Sequence, residues 1–437
     1  MTRLFITIVL STMCAMLSRG AGIRFEGASL SPISIAPEAG TGLDGIYVLY
    51  DTSGVRLVYT AASATASVEC YTYGVRGAAY PEAVPESDIS RQGADIVINP
   101  VAADCGYAFN ENGHTTYFWV SDYSAHPYNV NAIVIDSEQS CDLASLSIDG
   151  TAARMTYYSI TGRQYEIDRQ ISLDYTSLVA DMDNFRYIST PVSQQLPHIA
   201  GSIHPQAPLC DTYFHLSGDR FLRQWGMEQE TTSPHYTTPA ISAEISVTQN
   251  KRDSANEIKS DEALGGSAPA EIRFAAMTTD AVVFTQWQFA TDPEFEDIYF
   301  QTPDLEYTYT FTDMGTTYVR FIASNATGTC DYYSEVFTVY IGESQLLCPN
   351  AFSPGASEGV NDEWRVSYKS IVDFECYIFN RWGQKMAELH DPSQGWDGKH
   401  GGRLVPAGVY YYVIKARGSD GKKYNLSGDI NILKYNR

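Results

Sequence analysis

Short stretches that alternate apolar and polar side chains, broken by Gly, Pro, Asn and Asp, recur along the whole chain. Gly45-Ile46-Tyr47-Val48-Leu49-Tyr50 and Val55-Arg56-Leu57-Val58-Tyr59 flank Asp51-Thr52-Ser53-Gly54. The period of two, the β-branched and aromatic residues and a turn ending in Gly predict a hairpin of half-buried strands. No stretch of twelve or more residues carries an amphipathic helical pattern. Closely spaced strands with turn signals between them predict an all-β fold of β-sandwiches in tandem. A chain of 437 residues exceeds one sandwich, and roughly 100 to 150 residues per domain predicts three to five units.

Local features place the boundaries. Ala207-Pro208 precedes Trp225, and Ala268-Pro269 precedes Trp287, at nearly the same spacing. Both segments read as strand, turn, strand, Trp, with the Trp expected to fill the space between two sheets. Between them, residues 250–266 hold Lys251-Arg252-Asp253-Ser254 and Lys259-Ser260-Asp261-Glu262 and end in Gly265-Gly266, the composition of a linker. The expected organisation is a signal peptide at 1–22, sandwich modules at 23–138 and 139–249 (the latter one unit or two), the linker at 250–266, and modules at 267–343 and 344–437.

The N-terminal reading rests on Arg3, the apolar run Leu4 to Leu10 and small and polar residues up to Ala21-Gly22, the pattern of a secretory signal that is removed. No other stretch approaches the ~18 apolar residues of a membrane helix, so no transmembrane segment is expected in the mature chain. Cys14 leaves with the signal, and Ser11-Thr12-Met13 is a poor box for lipid attachment. Cys70, Cys105, Cys141, Cys210, Cys330, Cys348 and Cys376 remain. An oxidising compartment predicts that some pair and stiffen individual modules, with Cys330–Cys348 as the candidate at a junction.

Charge sharpens the division. The formal net charge is −23, yet residues 344–437 carry 12 Lys and Arg against 10 Asp and Glu. The upstream modules are therefore strongly acidic, which disfavours nucleic acid and anionic lipid as partners.

Residues 267–343, with Trp287-Gln288-Phe289, Tyr309-Thr310-Phe311 and Gly315-Thr316-Thr317-Tyr318-Val319, resemble a PKD-like, immunoglobulin-like (Ig-like) module of Bacteroidetes surface proteins. The Gly-Asp-Gly usual after Trp-x-Phe is replaced by Ala290-Thr291-Asp292. From Leu346 onward the chain resembles the gliding-motility-associated, type B C-terminal sorting domain of type IX secretion cargo. Six blocks occur in order. They are Pro349-Asn350-Ala351-Phe352-Ser353-Pro354, Val360-Asn361-Asp362, Ile378-Phe379-Asn380-Arg381-Trp382-Gly383, Gly395-Trp396-Asp397-Gly398-Lys399, Pro406-Ala407-Gly408 through Tyr410-Tyr411-Tyr412 to Ile414, and Gly428 to Lys434. The resemblance implies tandem Ig-like β-sandwich modules ending in a small sandwich that directs export across the outer membrane. It also implies the type IX translocon and a PorP/SprF-like outer-membrane protein as partners. Trp382 and Trp396 are both expected to pack on the core. One block departs from the family, which has Asn-Gly-Asp-Gly where this chain has the longer Gly355-Ala356-Ser357-Glu358-Gly359.

Chemistry is sparse. Gly355 to Gly359 spells Gly-x-Ser-x-Gly, but a nucleophile elbow needs a strand-to-helix turn with His and acid nearby, and a strand is predicted to follow. The histidines at 114, 126, 198, 204, 215 and 235 lie apart, and His390 and His400 read as solvated loop residues. Asp181-Met182-Asp183-Asn184 begins like a calcium loop without its Gly and terminal Glu. No cofactor or metal is expected. Asp253-Ser254-Ala255 resembles a Bacteroidetes O-glycosylation acceptor. Tyr117-Phe118-Trp119 and Tyr410-Tyr411-Tyr412 could stack on sugars, but core packing is the expectation, with outward rings covering a neighbouring module. The leading expectation is a non-enzymatic surface protein whose modules bind a protein or glycan ligand. The alternatives are an accessory or signalling component of the secretion apparatus, and a hydrolase with a site in residues 23–262.

Overall fold

The computed structural model describes residues 22–356 and 359–433. The expected signal segment, apart from Gly22, lies outside these residues, as do Ser357 and Lys434.

Four sandwiches follow one another, each with its own core. In the first, a four-stranded sheet (Gly22–Glu26, Arg56–Thr60, Asp95–Ile98, Ile89–Gln92) faces a six-stranded one containing Ile33–Ile35, Gly45–Leu49, His114–Asp122 and Cys105–Glu111. Leu57, Tyr59, Phe109, Phe118 and Val120 fill the space between them. The expected hairpin does not form. Gly45–Leu49 pairs with Ile33–Ile35 on one side and, in parallel, with Phe118 to Asp122 on the other. Both its edges are taken, so Arg56–Thr60 crosses to the opposite sheet and Asp51 to Gly54 becomes the bend between layers. A period-two pattern specifies strands, but it leaves open which strand takes each edge.

Phe118 and Trp119 are both buried and point to opposite faces. Phe118 enters the first core, while Trp119, Ile46 and Val48 enter the core of the second sandwich. The outer face of the first sandwich is thus the inner wall of its neighbour, and Tyr117-Phe118-Trp119 serves both cores. The second unit joins Tyr128–Ile135, Leu146–Ala152 and Ile199–Ile203 to a sheet of Arg186–Leu196, Ile171–Asp181, His215–Gly218 and Gln229–Thr232. At its base Arg169 and Asp219 form an ion pair at 2.6 Å with both side chains fully buried.

Trp225 departs from the expected repeat. It ends a six-residue helix, Arg220–Trp225, and its Nε1 donates to the Ser31 carbonyl at 2.8 Å. Asp219 caps the helix N-terminus through Phe221 N and Leu222 N, and Gly226 closes it in the left-handed region at φ 71°. Trp287, by contrast, is fully buried on Val282–Ala290, between Phe274 and Phe321. The two Ala-Pro…Trp segments share spacing and no structure.

In the third unit Ala270–Thr278 pairs with Ala243–Gln249 on one side and Glu306–Phe311 on the other, facing a sheet built on Val282–Ala290 and Gly315–Asn325. Strands of one sheet therefore stand on both sides of residues 250–266, which leave the sandwich and return to it. The excursion contacts the fourth unit: Asn256 Nδ2 donates to the carbonyls of Val366 and Pro392 at 2.7 and 2.8 Å, and Ile258 N donates to Tyr368 O at 2.7 Å. A polar segment is held here by backbone partners instead of apolar burial.

Cys330 pairs with Cys141, not with Cys348. The bridge joins the second unit to the third instead of stiffening one module. Cys348 sits within the C-terminal core beside Tyr412. Removing the bridge with a Cys141→Ser, Cys330→Ser double substitution is expected to cost about 2–4 kcal/mol. The loss should appear as earlier melting of the second and third units, followed by calorimetry with and without reductant.

Candidate functional site

The C-terminal unit is a five-stranded sheet of Ala351–Phe352, Lys423–Ile432, Gly408–Gly418, Ile371–Phe379 and Lys385–Leu389, with short pairs covering it. Trp364-Arg365-Val366-Ser367-Tyr368 alternates strictly, and Trp364, Val366 and Tyr368 are all buried. Their period-two spacing was the available signal, although the motif blocks pass over them.

Most motif residues build scaffold. Pro349 O accepts from Trp364 Nε1 at 2.7 Å, and Asn350 O accepts from Asn431 N at 2.8 Å. Trp364 and Trp396 exchange two backbone hydrogen bonds of 2.9 Å. Phe352 and Tyr410 pack against the Trp396 ring at 5.5 and 5.2 Å. The Tyr410 hydroxyl donates to Pro406 O at 3.0 Å. Tyr412 lies against Trp364 and across Gly428, where a Cβ would stand 2.7 Å from its hydroxyl. Burial and the neighbouring Cys348 push the Tyr412 phenol up to about 12. Asp362 closes the loop below Pro354 by accepting from Gly355 N and Gly359 N at 2.8 and 2.7 Å, with Asn361 left-handed at φ 57°. The carboxylate therefore ties Gly355 to Gly359 across the segment that departs from the family's Asn-Gly-Asp-Gly.

Asp397 accepts from Lys399 N at 2.9 Å and from Lys399 Nζ at 2.8 Å, while Gly398 turns at φ 72°. Burial pushes the Asp397 carboxyl up, but the Lys399 hydrogen bonds outweigh it and hold the group below its ordinary range.

One block stands apart. After Phe379 the chain reverses at Asn380, whose Oδ1 accepts from Trp382 N and Gln384 N, both at 3.0 Å, with Gly383 at φ 76°. The reversal lifts Trp382 off the core, so it is 75% exposed, contrary to the expectation that it packs inward. Asn380 and Gly383 fix the turn, and a turn tip has no sheet above it to bury a ring. The Arg381 guanidinium lies over the Trp382 ring at 4.2 Å. Beside them runs an open groove of about 470 Å³ lined by Met386, His400, Arg403, Leu404, Pro406 and Val409. Exposed Leu404 and Val409 extend the apolar surface. His400 occupies the short strand Lys399–His400, its Nδ1 near Met386 O, while His390 is exposed beside Glu388.

Elsewhere the candidates fall apart in space. Asp181 caps its own hairpin tip by accepting from Asn184 N and Nδ2. Ser254 donates to Asn256 Oδ1 at 2.8 Å in the excursion that touches the C-terminal unit. Among the described residues no three His, Cys, Asp or Glu side chains gather as a metal site.

Residues 346–432 match the CHU_C type IX secretion signal domain, and residues 133–233 match a fibronectin type III domain. The second match falls on the sandwich that contains the buried Arg169–Asp219 pair. No curated protein matches the chain. Among solved structures, similar chains include a tetra-tandem repeat from the extending region of a large adhesion protein, at 13% identity over 88% of this chain and 97% of that one, with a TM-score of 0.21. Another is the N-terminal eight Ig domains of Down Syndrome Cell Adhesion Molecule, at 9% identity over 89% and 52%, with a TM-score of 0.25. A third comprises fibronectin(III)-like modules of CbhA from Clostridium thermocellum, at 12% identity over 44% and 98%, with a TM-score of 0.19.

Fold and site together define an array of Ig-like and fibronectin-like β-sandwiches ending in a secretion signal domain. The chain is type IX secretion cargo with a C-terminal sorting domain, which supports export across the outer membrane to the cell surface or the extracellular space.

Proposed function

We propose that this is a non-catalytic surface protein whose upstream sandwiches present a binding surface, and whose C-terminal unit is read by the translocon at the Arg381–Trp382 end. The observation that carries the proposal is the division of the motif residues. Trp396, Phe352 and Tyr410 are buried and account for folding, whereas Trp382 spends a large apolar ring on solvent. An exposed aromatic beside a guanidinium and an apolar groove has the make-up of an interface hot spot. The partner for this surface is an outer-membrane component of the type IX system, of the PorP/SprF-like kind. The acidic upstream units suit a ligand that is neither nucleic acid nor anionic lipid.

Deletion of residues 344–437 in the native host, followed by fractionation, tests the export half. The truncated chain is expected in the periplasm as a stable product, and its undiminished appearance at the surface would overturn the reading. Adherence of the purified chain to host-cell surfaces or matrix tests the other half.

A further inference from the structure

The third sandwich carries a second exposed feature that the sorting role does not use. On the outer face of its larger sheet, rows of opposed residues cross three neighbouring strands. Phe284 stands opposite Ser324, which stands opposite Asp331; Gln286 stands opposite Ile322, which stands opposite Tyr333. Phe284 is 59% and Tyr333 62% exposed. They lie on the strands either side of Gly315–Asn325, two strand spacings or roughly 10 Å apart across the sheet and two residues apart along it, which makes the diagonal roughly 12 Å. Between them is a trough of about 240 Å³ floored by Ile322 and Ser324 and edged by Gln286 and Asp331.

The polar groups are oriented. Arg320 Nε donates to Gln288 Oε1 at 2.9 Å, and Gln288 Nε2 donates to Gln286 Oε1 at 2.8 Å. With Oε1 accepting from Gln288, the Gln286 amide presents its Nε2 donors to a ligand. Asp331 is exposed and offers acceptors on the far side of the trough. Arg320 also lies 3.9 Å from the Phe295 ring centroid and 5.7 Å from that of Tyr333, which holds the second wall in place.

We propose that this trough binds one pyranose ring of a neutral glycan, with Phe284 and Tyr333 against the apolar ring faces and Gln286 and Asp331 on the hydroxyls. A sugar ring presents C–H faces and a rim of hydroxyls, which matches two aromatic walls and a paired donor and acceptor. An apolar side chain would leave Gln286 and Asp331 unanswered, and an anionic sugar would meet the Asp331 carboxylate within an acidic array. The disulfide contributes directly. Cys330 immediately precedes Asp331, and its loop is fixed by Asn325, whose Oδ1 accepts from Thr329 N at 3.0 Å and whose Nδ2 donates to Pro239 O at 3.1 Å. Cys141–Cys330 thereby ties the edge strand Asp331–Tyr333 to the fibronectin-like unit.

This rests on the reading of the upstream units as a binding surface, and the test separates the two. The purified full chain is titrated calorimetrically with neutral hexasaccharides of glucose, mannose and galactose, and with a galacturonic acid hexasaccharide. At least one neutral sugar is expected to bind and the uronate to bind more weakly. Phe284→Ala and Tyr333→Ala should each raise Kd about tenfold, the scale of one lost ring contact, with unchanged melting. Asp331→Asn should weaken binding while both walls remain. The Cys141→Ser, Cys330→Ser chain should bind more weakly even at temperatures where it is fully folded. If no neutral sugar binds, or if the wall variants bind like the parent, the trough is not a glycan site. Equal adherence of parent and wall variants to host-cell surfaces would then keep the surface-binding reading, and failure of the parent to adhere would remove that reading as well.

Discussion

Replacing Asp219 with alanine is expected to destabilise the second sandwich by about 3–5 kcal/mol, the cost of leaving a buried charge without its partner. Arg169 Nε and Nη2 donate to Asp219 Oδ2 at 2.8 and 2.6 Å, and Arg169 Nη1 donates to Ala153 O at 2.8 Å. The other carboxylate oxygen caps the helix through Phe221 N and Leu222 N. Alanine would therefore remove the counter-charge and the cap together. Asn keeps a capping oxygen but not the charge, so Asp219→Asn should recover only the cap, roughly 1 kcal/mol. Denaturant melts of the parent, Asp219→Ala and Asp219→Asn chains check this ordering. A loss below about 1 kcal/mol for Asp219→Ala would mean that water reaches Arg169 once its partner is gone.

The second large effect contrasts two tryptophans of the C-terminal unit. Trp364 is fully buried and anchored through its Nε1 to Pro349 O, so Trp364→Ala should cost about 3–5 kcal/mol. That approaches the whole stability of a small domain, and the variant should accumulate poorly in any compartment. Trp382→Ala removes a ring already in water and should leave melting within about 0.5 kcal/mol of the parent. Export should nevertheless fail, with a folded chain retained in the periplasm. Normal surface display of a folded Trp382→Ala chain would show that the turn tip is not read. Trp382→Phe, which keeps an apolar ring, is expected to restore part of the export.

Adjacent sequence blocks thus gave two different outcomes. Trp396 packs inward as expected because a strand bridge and the facing sheet enclose it. Trp382 does not, because Asn380 and Gly383 form the turn by local hydrogen bonds and positive φ, leaving its ring beyond the last layer. The turn was legible, since Asn-x-x-Gly carries its own chemistry. The direction of the ring was not, since it depends on where the sheet ends.

What the sequence by itself determined is local and periodic: strands instead of helices, turns at Gly and Asn, and the order of blocks that marks the secretion signal. The segment before Trp225 read as strand, whereas Asp219 and Gly226 cap a short helix there. Only the tertiary structure decided which strands share a sheet, which cysteine meets Cys330, and what Arg169 is paired with. The last two outcomes join residues 189 and 50 positions apart. A period of two fixes two faces for every strand, but it cannot say that both faces of Gly45–Leu49 are covered, or that Phe118 and Trp119 belong to different cores. The trough at Phe284 and Tyr333 has the same origin: three strands with no shared local signal become one surface only when their rows of opposed residues align.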